Sequence, residues 1–182
     1  MIITITGRAG AGKDSVIKWL ELPRDYQVLD ADVLGHECLQ EPIIVKRLEE
    51  TFAGSVEGGV VNRKKLGLMV FPHRVKELNQ IVHPCLLQKI KDKITPNTVI
   101  HAALLKELKL ISLSDVVILV DSNLENTLQR ISSRFRKKDI LRRLRAQRSL
   151  LWYRQQADMI IKNNGTLNDL QESVKSLCQT LF

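Results

Sequence analysis

No stretch of this 182-residue chain approaches the roughly 20 consecutive apolar residues that a membrane helix needs, so no spanning segment is expected. The N-terminus has no basic region followed by an apolar stretch, and no secretory signal is expected either. Cysteine is scarce. Cys38, Cys85 and Cys178 are odd in number and far apart; they form no zinc spacing and predict buried, reduced thiols. These absences together predict a cytoplasmic protein. Aromatic residues make up only 4% of the chain, too few to interleave with basic residues as in single-strand nucleic-acid binders. Repeats, low-complexity tracts and interdomain linkers are missing as well. What remains is an ordinary soluble composition, 44% hydrophobic, long enough for one domain with a real core or a core with small inserted lobes.

Charge is unevenly spread. The net charge of +8 lies wholly between Arg130 and Arg148, where residues 130, 134, 136, 137, 138, 142, 143, 145 and 148 are basic and Asp139 alone is acidic. The rest of the chain is neutral, with 19 basic and 19 acidic groups. Such a cluster can be a nucleic-acid footprint, a solvated helical face or a grip on polyanionic small molecules. The third reading is preferred because of what stands at the other end of the chain.

There, Gly7-Arg8-Ala9-Gly10-Ala11-Gly12-Lys13 follows the strand-like run Met1-Ile2-Ile3-Thr4-Ile5-Thr6 and precedes a helix expected over Asp14 to Leu22. This is the Gly-x4-Gly-Lys spacing of a phosphate-binding P-loop in its required strand–loop–helix context. Glycines let the backbone turn its N–H groups toward phosphate oxygens, and Lys13 reaches the terminal phosphates. The dinucleotide spacing Gly-x-Gly-x-x-Gly does not fit glycines at 7, 10 and 12. A chance glycine-rich turn is the plainer alternative. After the lysine the pattern asks for Ser or Thr, whose hydroxyl binds Mg²⁺; here Asp14 stands, with Ser15 next. A carboxylate is also a hard oxygen ligand, but it adds negative charge beside the phosphates.

Hydrophobic periodicity predicts alternating strands and helices. Further strands are expected at 27–29, 98–100, 115–120 and 159–161. Helices are expected at 33–52 with an interruption near Glu41-Pro42, at 62–70 with Asn62 as N-cap, and at 75–94 with a break at His83-Pro84. Others are expected at 123–132, 139–149 and 166–180, and residues 54–59 read as a loop. Short apolar strands separated by helices predict a parallel sheet covered on both faces. About 65 residues separate the second and third strands, far more than a crossover needs, so residues 33–94 are expected to build a helical lobe for an acceptor.

These residues resemble bacterial dephospho-CoA kinase, a P-loop kinase of the nucleoside monophosphate kinase superfamily. Beyond the loop, the matching landmarks in order are Val28-Leu29-Asp30-Ala31-Asp32 with Gly35-His36-Glu37, then Asn62-Arg63-Lys64-Lys65-Leu66-Gly67 with Val70-Phe71, then Val82-His83-Pro84. Ala102-Ala103-Leu104-Leu105, Val117 to Asp121, Arg143-Leu144 with Gln147, Ala157-Asp158 and Asn163-Asn164-Gly165 complete the series. The resemblance implies a single P-loop kinase domain with a five-stranded parallel sheet flanked by helices: a core of 1–32, 95–129 and 150–182, the acceptor lobe, and a short lid at 130–149. It implies ATP-dependent phosphorylation of the ribose 3′-hydroxyl of dephospho-CoA with Mg²⁺, the last step of coenzyme A synthesis. The expected partners are ATP and dephospho-CoA, without nucleic acid or membrane, in a monomer or small homo-oligomer.

By the same resemblance, Lys13, Asp32 and Arg134 are the expected catalytic residues, with Asp32 as base. ATP is expected on Gly7, Arg8, Ala9, Gly10, Ala11, Gly12, Lys13, Asp14, Ser15, Arg130, Arg143, Asn163 and Asn164. Dephospho-CoA is expected on Asp32, His36, Arg63, His83 and Leu104, and a metal near Asp14 or Asp30. Plainer readings stand beside several of these. The Asp30/Asp32 pair suits a helix cap, Asn163-Asn164-Gly165 suits a strand-to-helix turn, and His36 and His83 suit packing. The lid lacks the usual Arg-Asp-Gly start, since Phe135 follows Arg134. His101 stands where many relatives carry an acid, which suggests that the metal-side carboxylate has moved to Asp14. A nucleotide or nucleoside kinase, or a catalytically silent P-loop protein binding nucleotide or nucleic acid, are the alternatives.

Overall fold

The computed structural model describes residues 1–132, 141 and 144–182. In chain order it contains β1 (Ile2–Thr6), α1 (Lys13–Trp19), β2 (Gln27–Asp30), α2 (Ala31–Cys38), α3 (Pro42–Thr51), β3 (Val56–Glu57), β4 (Val60–Val61), α4 (Arg63–Val70) and α5 (Val75–Lys93). There follow β5 (Thr98–His101), a 3-10 turn at Leu110–Leu113, β6 (Val116–Asp121), α6 (Leu124–Ile131), α7 (Leu150–Gln156), β7 (Met159–Lys162) and α8 (Leu167–Leu181). Contacts divide the chain into two compact units, Met1–Leu29 with Thr95–Phe182, and Asp30–Ile94.

The first unit is built on a five-stranded parallel sheet of order β2-β5-β1-β6-β7, the architecture expected of a P-loop kinase core. β1 lies in the middle, with Ile5 opposite His101 of β5 and Thr6 opposite Leu119 of β6. Its β-branched residues suit a pleated strand covered on both faces. Ile3, Ile5, Val99, Ile118, Val120 and Ile161 are buried with Val16 of α1 and Leu170, Val174 and Leu177 of α8. Each such side chain contributes about 1.5–3 kcal/mol on burial. α8 starts with a capping box in which Thr166 and Asp169 satisfy each other's backbone N–H groups.

The second unit has its own core of Ile44, Leu48, Phe52, Val61, Leu66 and Val70. Its boundaries correct the sequence in two places. α5 runs unbroken through His83-Pro84. Proline inside a helix costs about 3 kcal/mol locally, but α5 packs on α2 and α3 and buries Leu86 and Ile90, which outweighs it. The loop at 54–59 holds part of a hairpin, Val56–Glu57 against Val60–Val61. Gly58 and Gly59 form its two-residue turn with φ of 58° and 80°, the left-handed pair that such hairpins prefer. Asn62 does cap α4, accepting from the Lys65 N–H.

In the first unit, α1 stops at Trp19 because Leu20 is extended, three residues before Pro23. Helix α7 was not anticipated; Ser149 caps it by accepting from the Trp152 N–H. The helix expected at 139–149 falls partly on residues outside those described. No described helix is long and apolar enough to cross a membrane.

Candidate active site

The phosphate loop leaves the carboxyl end of β1 and turns through Gly10 and Gly12, whose φ angles of 76° and 96° lie in the left-handed region. Glycine is required at Gly12 twice over, since a Cβ there would also meet Asn163 Nδ2 at 2.2 Å. At Gly7 a Cβ would meet the Val120 carbonyl at 2.6 Å, so only glycine lets the loop start this close to β6. Within the loop the Ala11 N–H donates to the Arg8 carbonyl (3.1 Å), and the Lys13 ammonium folds back to the Gly7 carbonyl (3.2 Å). Gly12 caps α1, accepting from the N–H groups of Ser15 and Val16.

Side chains from three later segments brace this loop. Buried Asn163, just past β7, donates through Nδ2 to the Ala11 carbonyl (2.8 Å), and its own N–H donates to the Asp121 carbonyl (2.7 Å). Arg130 on α6 donates to the Asn163 side-chain and backbone oxygens (2.9 and 2.7 Å) and to Ser122 Oγ (3.0 Å). Partial burial holds the Arg130 guanidinium below its ordinary pKa. Gln147 accepts the Ala9 N–H on its side-chain oxygen (2.9 Å), and Arg8 donates to the Leu144 carbonyl (2.5 Å). Asn164 accepts from the Asn123 N–H (2.8 Å).

Nearby, buried Asp121 accepts from Arg154 Nε and Nη2 at 2.9 and 2.7 Å. Tyr153 donates to the Ala103 carbonyl (2.7 Å), beside half-buried Leu104. Asp14 lies in the first turn of α1 with its side chain 89% exposed, and its Oδ1 is 3.3 Å from Nε2 of His101. The sequence places these two side by side only if the first and third strands are neighbours, and β1 and β5 are. Gln147 and Tyr153 were not read as site residues. Gln147 is a landmark of the resemblance, but nothing local in the sequence ties its amide to Ala9, 138 positions away.

In the second unit, Asp30 is the N-cap of α2, its Oδ1 accepting from the N–H groups of Asp32 (2.8 Å) and Val33 (3.2 Å). Asp32, His36 and Arg63 are exposed, and His83 on α5 is partly exposed. Arg134 and Arg143, like half of the expected lid, lie outside the described residues. No group of three or more His, Cys, Asp or Glu that could hold a metal ion occurs among the described residues. That donor set fits a cation held mainly by phosphate oxygens and water with one protein carboxylate. Asp14, exposed on the residue after the loop lysine, is an oxygen donor of that kind.

The family model described as dephospho-CoA kinase matches residues 1–169. The chain belongs to the dephospho-CoA kinase family. A dephospho-CoA kinase of Leptospira interrogans is 34% identical over 195 aligned residues, covering 100% of this chain and 93% of the relative. Among solved structures, a Thermus thermophilus protein superposes with a TM-score of 0.78 at 30% identity, covering 100% of this chain and 98% of that one. The dephospho-CoA kinase of Campylobacter jejuni superposes with a TM-score of 0.65, covering 98% and 96%; at 22% identity it supports the fold alone. Dephospho-CoA kinases of this length therefore match the chain from end to end, the phosphate loop and the 30–94 unit included.

Proposed function

We propose that this protein transfers the γ-phosphoryl group of ATP to the ribose 3′-hydroxyl of dephospho-CoA, giving coenzyme A and ADP. The observation that carries the reading is the braced glycine loop of residues 7–13 in a chain matched by the dephospho-CoA kinase family over residues 1–169. Phosphoryl transfer asks a protein chiefly for positioning and charge neutralisation. The loop amides and Lys13 would hold the β- and γ-phosphates, and Arg130 and Asn163 would fix the loop beneath them. Asn164 would frame the base of ATP. Arg134 and Arg143 keep their proposed place over the transferred phosphate, where a guanidinium bonds two oxygens at once.

Asp32 is the proposed base. It takes the proton of the 3′-hydroxyl as that oxygen attacks the γ-phosphorus and ADP leaves. Asp30, which accepts the Asp32 backbone N–H, serves to hold Asp32 in place. His36, Arg63, His83 and Leu104 are proposed to receive the acceptor. Mg²⁺ bound with ATP would neutralise charge on the β- and γ-oxygens, and Asp14 would offer it a hard oxygen. The setting is a cytoplasmic one, with ATP and dephospho-CoA as the partners.

The direct test is incubation of purified protein with ATP, Mg²⁺ and dephospho-CoA, following ADP and coenzyme A together. Equimolar formation of both is expected. ADP release with nucleoside monophosphates but not with dephospho-CoA would overturn the acceptor assignment.

A further inference from the structure

Asp14 poses a problem of order that a serine would not. A Ser hydroxyl one bond from the backbone has three rotamers, all close to the loop; an aspartate reaches further and can swing away into solvent. Its side chain is 89% exposed, so the surrounding protein does little to confine it. One contact does. His101 is the last residue of β5, and that strand end is tied into the sheet: His101 lies opposite Ile5 of β1, and the next residue, Ala102, donates its N–H to the Ile5 carbonyl (3.1 Å). The His101 side chain is only 9% exposed, and its Nε2 is 3.3 Å from Asp14 Oδ1. A buried ring at the end of an interior strand thus meets an exposed carboxylate on the residue after the loop lysine. In a P-loop, the side-chain oxygen at that position binds the cation that travels with the nucleotide.

We propose that His101 is a positioning residue for Asp14. It holds one carboxylate oxygen from the β5 side, so that Asp14 meets the divalent cation of the bound nucleotide in a preset orientation. The inference rests on the nucleotide-binding part of the function proposed above and is independent of which acceptor is phosphorylated. His101 itself touches neither nucleotide nor metal, and acts only through Asp14. Outer partners of this kind commonly change metal affinity by about 10–100-fold when removed.

The test compares two amides at one position. His101→Gln carries a side-chain amide far enough to reach the place of Nε2; His101→Asn is equally polar but too short. Mn²⁺ replaces Mg²⁺ as the probe, and its affinity for the full-length protein saturated with ATP is read from the paramagnetic resonance signal of free and bound Mn²⁺. Metal-free ATP affinity and the melting temperature are measured alongside. Asp14→Asn and His101→Asn are each expected to weaken Mn²⁺ binding about tenfold or more, and their double variant no further than either alone. His101→Gln is expected to stay within about threefold of the parent protein. Metal-free ATP affinity is expected to hold in the two single His101 variants and to rise in those carrying Asp14→Asn, which lose a negative charge beside the phosphates.

Equal Mn²⁺ affinity in the Gln and Asn variants would overturn the proposal. So would additive losses in the double variant, or a loss that tracks melting temperature instead of reach. A parent protein that binds no Mn²⁺–ATP would overturn this inference and the nucleotide reading together. A parent that binds it but leaves dephospho-CoA unphosphorylated would overturn only the acceptor assignment.

Discussion

Around the phosphate loop, Asn163, Arg130, Gln147 and Arg8 are each hydrogen-bonded to another segment of the same unit, whereas in the 30–94 unit Asp32, His36 and Arg63 stand exposed. The contrast follows the chemistry each half is proposed to do. A phosphate chain is a small polyanion, so a loop whose backbone is braced beforehand needs little reorganisation when it arrives. A large acceptor with several rotatable bonds is better met by side chains free to adjust. Substitutions in the first half are therefore expected to disturb stability and nucleotide binding together. Those in the second are expected to change turnover or acceptor affinity with the fold intact.

The sharpest way to break this contrast is Asp32→Asn. Removing a general base commonly costs about 10²–10⁴-fold in rate. Because the Asp32 side chain is exposed, and it is its backbone N–H that Asp30 accepts, the melting temperature is expected to hold. Single-turnover rates beside a thermal melt check both parts. A large fall in melting temperature would show that the carboxylate is structural.

Asn163→Ala is the counterpart in the first half. It strips the Ala11 carbonyl of a buried donor and leaves Arg130 with fewer acceptors. Orphaning such groups costs about 1–3 kcal/mol each, so an equilibrium melt is expected to lose about 2–3 kcal/mol. ATP affinity should fall with it, because Gly12 packs against the same amide. Lost nucleotide affinity at unchanged stability would instead favour a direct role of Asn163 on the nucleotide.

How much of this contrast was readable beforehand differs between the halves. The loop, its flanking strand and helix, and the strand alternation that builds the sheet are local patterns, and each stands where the pattern placed it except that α1 ends early, at Trp19. The meeting of Asp14 with His101 depended on β1 and β5 being neighbours, a rule of the fold class that the sheet order obeys. The Gln147–Ala9 and Asn163–Ala11 bonds were not legible, because they join residues 138 and 152 positions apart and leave no periodicity. Pro84 misled for the opposite reason: its local penalty is plain in sequence, while the packing of α5 that outweighs it is not. Asp30 was legible as either cap or site residue, and the cap is what its Oδ1 forms.

Alkaline pH gives a gentler probe of the first half. Burial, with Glu107 nearby, pushes the Tyr153 phenol up from 10.0 to about 12. The folded state thus favours the protonated phenol, which donates to the Ala103 carbonyl. Its contribution is complete below about pH 10 and is lost as pH rises through about 12, amounting to about 3 kcal/mol at most. Urea melts at pH 9, 10 and 11 are expected to show a progressive loss that Tyr153→Phe removes. An equal loss in that variant would place the alkaline sensitivity elsewhere.

The smallest expected effect belongs to the acceptor side. Arg63 heads α4 with an exposed side chain, and the capping of that helix belongs to Asn62, so Arg63→Ala leaves both core and cap untouched. Exposed charge pairs contribute about 0.2–1 kcal/mol, so the KM for dephospho-CoA is expected to rise about two- to fivefold, with kcat and the KM for ATP unchanged. The rise should shrink as salt is added, since screening weakens the lost interaction. If kcat falls instead, Arg63 acts on the transferred phosphate, and the two halves do not divide the work between nucleotide and acceptor as proposed.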